Sequence, residues 1–192
     1  MMDLSKFGIK FFAADADGFD ILKLIPVYHR WIQQGALQDL LIDVADYSHV
    51  PAGPGVMLIA HEGNYALDET GHERGVVYYS KRRLSGELSD RFCLVASKAL
   101  RAAQLMSEDA ELDGAVNVLG DHLEFFANDR LAVPNTDAAY AELEPALKTF
   151  LDKLYAGAPY TLTRETDAKE RLSVRVKAAS PAPLETLFER VT

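Results

Sequence analysis

Two spacings divide the chain. Apolar residues recurring every three or four positions predict amphipathic helices, and short apolar runs bounded by Gly, Pro, Asn or Asp predict strands. Residues 7–13 read as a strand. Asp20 then caps a helix over about 21–34, with Ile21, Ile25, Tyr28 and Ile32 on one stripe and Gly35 at its end. Pro26 lies in that stripe and either kinks the helix or marks its true first turn. Residues 39–45 are apolar enough for a strand buried on both faces. A loop over 51–55 leads to strands at 56–61, 65–69 and 76–81, an antiparallel meander whose first turn is predicted at Gly63-Asn64. The clearest helix spans 87–107, with Leu88, Phe92, Val95, Ala99, Ala103 and Met106 on its apolar face. Residues 116–126 read as a strand with a bulge or tight turn at Gly120-Asp121. A helix over about 137–156 buries Leu143, Leu147, Phe150, Leu151 and Leu154, and strands follow at 160–165 and 171–178. From Ser180 the chain reads as a tail with one helical turn.

An internal match organises these elements. Ile9–Asp15 and Leu123–Asp129 are identical at four of seven positions, at an offset of 114 residues. Each run is a strand followed by a capped helix, a Gly and two more strands. The pattern predicts an α+β domain over 1–180 built as a degenerate duplication of a β-α-β-β unit (7–61 and 121–178), of ferredoxin-like flavour, with a mainly antiparallel sheet and three main helices. The segment 62–107 joins the halves, and 181–192 is the tail.

Charge narrows the function classes. The 192 residues carry a net charge of −9, which disfavours nucleic-acid binding and an anionic membrane surface. No apolar run approaches the ~18 residues of a membrane span, and the opening residues have no apolar leader pattern. With a single cysteine, Cys93, in an apolar run, a reducing cytoplasm is the expected compartment and a buried, inert thiol the expected state.

Candidate chemistry concentrates in residues 29–72, which hold His29, His49, His61 and His72 with Asp43, Asp46 and Glu62. His29, Asp43, Asp46, His61 and Glu62 are the candidate catalytic set, because imidazole and carboxylate can share a proton near neutral pH or hold a divalent ion such as zinc, manganese or iron. The alternative is ordinary: a His at a strand end, and an Asp making an Asx turn. Arg30, Trp31, Tyr47 and His49 are the candidate ligand-binding residues, since a cation beside a large aromatic can hold a planar or anionic group. For Trp31 the competing role is packing. Asp43, if its face is covered, needs a partner such as Arg30 or His29. The six basic groups of residues 81–101, against Glu87 and Asp90, read either as an anion or subunit contact or as the charged guard of an edge strand.

The runs Ile25–Gln33, Leu41–Tyr47, Gly53–Glu62 and Asn128–Thr136 resemble those of a family of bacterial proteins of unknown function. That resemblance covers most of the chain and implies no activity, cofactor or catalytic residue. The expectation from the sequence is therefore a cytoplasmic small-ligand-binding or accessory protein that self-associates and takes no nucleic acid or membrane partner. A small-molecule enzyme using the His/Asp/Glu cluster, with a divalent metal as its possible cofactor, is the alternative.

Overall fold

The computed structural model describes residues 4–14, 18–50 and 53–192. Pro51 and Ala52 of the expected loop and Asp15 of the matching run lie outside them. The elements run β1 (Phe7–Ala13), α1 (Leu24–Gln34), β2 (Leu41–Tyr47), β3 (Gly55–Ala60), β4 (Gly63–Asp68), β5 (Gly75–Ser80), α2 (Leu88–Glu108), β6 (Val118–Ala127), α3 (Asp137–Leu154), β7 (Tyr160–Arg164), β8 (Ser173–Ala178) and α4 (Leu184–Val191). All eight strands pair antiparallel in one sheet, ordered β2-β3-β4-β5-β1-β6-β8-β7. The fold is α+β, with a larger sheet and one more helix than the sequence predicts. No helix among the described residues is long and apolar enough to cross a membrane.

The helices cover one face of the sheet. Phe7, Ile9 and Phe11 of β1, Tyr65 and Leu67 of β4, Val76 and Tyr78 of β5, and Leu123 and Phe125 of β6 share one core with the apolar stripes of all four helices. Phe92 of α2 is its hub, with ring centroids 5.2 Å from Phe7, 5.3 Å from Phe125 and 6.0 Å from Phe150. A separate, smaller cluster on the other face (Met57, Ala66, Val77 and Phe126) contains strand residues alone.

Several local expectations resolve. The Asp20 carboxylate accepts the Leu22 N–H at 3.0 Å and caps a 3-10 turn that leads into α1. Pro26 falls in the first turn of α1, where its missing N–H costs no helical bond. Gly35 closes the helix at φ 60°. The bulge falls where Phe11 pairs Leu123 but Ala13 pairs Val118. Cys93 is buried, and burial raises its thiol pKa.

Other expectations need correction. The strand expected over 39–45 is β2, an edge strand with Asp43, Asp46 and Tyr47 exposed. A bulge at Ile42 puts Leu41 and Val44 toward the helices, and only the small Ala45 packs on the other face. The first meander turn is at His61-Glu62, with Ile59 opposite Asn64. Gly63 lies within β4, paired with Ser80, and glycine is needed there because a Cβ would stand 2.4 Å from the Tyr78 ring. β5 lies between β4 and β1, so the basic residues after it guard no edge. The supposed tail carries α4, whose Leu187 and Val191 are buried beside α2 and α3. The two half-units are not contiguous alike: β6 is bonded directly to β8, whereas β4 and β5 stand between β1 and β3.

Candidate functional site

The sequence-predicted residues spread over separate parts of the molecule. His29 is exposed on α1. Arg30 pairs with Asp109, and with Glu111 at 2.6 Å, so it clamps α1 to the acidic loop and does not reach Asp43. Trp31 is buried beside Tyr28, with ring centroids 5.4 Å apart. Exposed Asp43 takes the N–H of its own neighbour Val44 at 2.8 Å. Asp46 accepts the Ser48 N–H at 2.9 Å in an Asx turn, and its bonds to Ser48 lower its pKa. His61 and Glu62 meet at 3.7 Å, both well exposed. His61 bonds the Leu40 carbonyl at one end of β2, while His49 follows the other end, about 20 Å away at the usual strand rise. Among the described residues, no three His, Cys, Asp or Glu side chains converge as a metal-holding group.

Two of the set, Asp43 and Tyr47, lie on the face of the sheet that no helix covers. That face is where polar and aromatic side chains do converge. Gly8 of β1 pairs with Tyr79 on one side and Phe126 on the other. A Cβ at Gly8 would stand 2.4 Å from the Phe126 ring and 2.8 Å from the Tyr79 Cβ, so glycine is what lets these two aromatics close over the backbone. With Val77 they floor a cavity of about 450 Å³, walled by Pro54, Asp68, Thr70, Asn128, Glu170 and Arg171. That volume is in the range of small-molecule sites, ~300–1,000 Å³. Two clefts in the helix layer are larger, about 610 and 560 Å³, but exposed side chains line most of each and neither has a buried aromatic floor.

The surroundings of this cavity are unusually polar for a sheet interior. Lys10 is 3% exposed, its ammonium bonded to Asp68 at 2.6 Å and to the Glu73 carbonyl at 2.5 Å. Asp68 also accepts from Thr70 at 2.6 Å. Asn64 is 7% exposed; its amide nitrogen bonds the Tyr79 hydroxyl at 3.0 Å and its carbonyl oxygen has no protein partner. Further along, His122 stacks on Phe12 with centroids 4.0 Å apart, and Arg175 is held by Glu73 at 2.9 Å. Burial, with Lys177 and Arg175 nearby, lowers the His122 pKa.

A second polar group lies on the helix side. Asp39, whose side chain is 4% exposed, bonds Lys98 at 2.5 Å and accepts the Tyr65 hydroxyl beside a cavity of about 140 Å³. Both Asp39 oxygens are occupied from α2 and β4, so the group reads as a strut between layers. Burial first, then Asp39, raises the Tyr65 pKa, which keeps that phenol protonated and donating.

The chain matches no family model and no curated protein. Sequence reasoning missed Lys10, Asn64, His122 and Arg171. A signal for Lys10 was present: a lone lysine in the otherwise apolar run Phe7–Ala13 marks a face without a hydrophobic cover.

Proposed function

We propose that this chain is a small-ligand-binding protein whose ligand lies in the open-face cavity over Tyr79, Gly8 and Phe126. The observation that carries the reading is the floor itself, two aromatics brought together across a glycine on a sheet face without helices. The test is an NMR screen of small amphipathic molecules against the labelled protein. Binders are expected to shift the amides of Val77, Tyr79 and Phe126. Binders that shift only Ser97 and Arg101, beside the smaller cavity, would move the site to the helix layer.

The same face gives support to a duplicated origin. In the β1–β6 register Ile9 faces Phe125, Lys10 faces Glu124 and Phe11 faces Leu123, so the two matching runs pair about a local two-fold centre at Lys10 and Glu124. In each unit the first and second strands run one way and the third runs back. On this reading β4–β5, which follow the first unit in the chain, have taken the place in the sheet between β1 and β3. Superposing β1–α1 on β6–α3 and, separately, β2–β3 on β7–β8 tests it, and differing helix placement over the strands would count against common origin.

A further inference from the structure

Among the described residues, the open-face cavity is lined by one cation, Arg171, that no carboxylate approaches within 4 Å. Arg171 precedes β8 and is partly buried, with its guanidinium carbon 3.7 Å from the Phe126 ring centroid. Among the described residues its one hydrogen bond is long, to the Asn128 side-chain oxygen at 3.3 Å. Among the described residues it forms no ion pair within 4 Å. Arg175, four residues on, is different: Glu73 grips it with both carboxylate oxygens. The two pKa directions follow, with burial lowering Arg171 and the Glu73 bond raising Arg175. The nearby acids do not neutralise Arg171 directly. Asp68 is committed to Lys10 and Thr70, Glu124 lies toward Arg175, and Glu170 is exposed at the rim.

Resting on the ligand-binding reading above, we propose that the ligand is a small organic carboxylate, held by Arg171 above Phe126 and bedded on Val77 and Tyr79. A guanidinium held over an aromatic ring makes that contact through its face, so N–H groups at its rim beyond the one on Asn128 can meet a carboxylate with two parallel bonds. The aromatic floor then selects an acid with an apolar, planar body over a bare inorganic anion. An amide of the same shape keeps the stacking but loses the charge-assisted pair.

The experiment titrates the full chain with benzoate and phenylacetate, with their amides, and with inorganic phosphate, following binding by NMR. The acids are expected to bind saturably at millimolar concentration or below and at least about tenfold more tightly than the amides, the size of a hydrogen bond to a charged group. Arg171→Met keeps an apolar stem over Phe126 and is expected to erase the preference for acids. Arg171→Lys is expected to restore it only in part. Equal binding of acids and amides, unchanged by Arg171→Met, would overturn the carboxylate assignment and leave the cavity reading standing. Phosphate competing as well as benzoate would also overturn it, because the aromatic bed would then contribute nothing. Absence of binding by every probe would overturn both. The comparison of acids with amides needs only the natural sequence, so it holds even if an Arg171 variant folds poorly.

Discussion

β1 has two faces, both buried, by different means. Phe7, Ile9 and Phe11 meet Phe92 and the other helix residues. Gly8, Lys10 and Phe12 face the other way, where no helix lies, and are covered by side chains from neighbouring strands: the Phe126 ring over Gly8, Asp68 against Lys10, and Arg175 and His122 over Phe12. A helix layer seals a sheet with hydrocarbon. In its absence, long polar side chains can do so with their stems, provided their charged ends find partners. The covered face should therefore respond to changes of volume and the open face to changes of charge.

The largest test of that contrast is Phe92→Ala. It removes the ring that joins β1, β6 and α3, and a loss of ~3–5 kcal/mol is expected in chemical denaturation. A midpoint unchanged by the substitution would mean that the helix layer does not depend on this contact. On the open face, Lys10→Met is expected to cost less, ~1–3 kcal/mol, because Asp68 loses its ammonium partner but keeps its bond from Thr70 and an edge open to water. The double variant Lys10→Met/Asp68→Leu should return to within about 1 kcal/mol of the natural chain, as replacing both ends of a buried pair often does. If the double variant is as unstable as the single one, the open face is held by packing alone.

The smallest expected effect is a pH dependence. Because burial lowers the His122 pKa, the folded state binds fewer protons here than the unfolded one. This group's contribution is fully present above the ordinary imidazole value of ~6.5. It is lost as pH falls from there through the lower folded value. Urea midpoints between about pH 7.5 and about pH 5 should therefore decline more steeply for the natural chain than for His122→Gln. Parallel declines would remove His122 from the account.

How much of this was legible in the sequence depended on how local the cause was. The helix over 87–107 and the strand at 7–13 came within a residue of α2 and β1, because periodicity and bounding residues are local signals. The position of β2 at the edge was not readable, since a run such as Leu40–Val44 is apolar whether one side or both have neighbours. The candidate site depended more on such distant relations. His29, His49 and His61 looked close because they are close in sequence, yet β2 separates two of them by its full length. The Tyr79–Gly8–Phe126 floor joins residues from three distant segments, and only strand pairing discloses it.

The strand order also has a kinetic consequence. β1 is the earliest strand in the chain, yet its neighbours are β5 and β6, and its pairing with β6 links Phe7 to Ala127. Closing so long a loop costs entropy before any ladder bond forms, so the centre of the sheet is expected to assemble late and slowly. As the chain is synthesised, the Phe-rich β1 must wait for more than a hundred further residues before its second edge is covered. During that interval it is the segment most exposed to association with other chains.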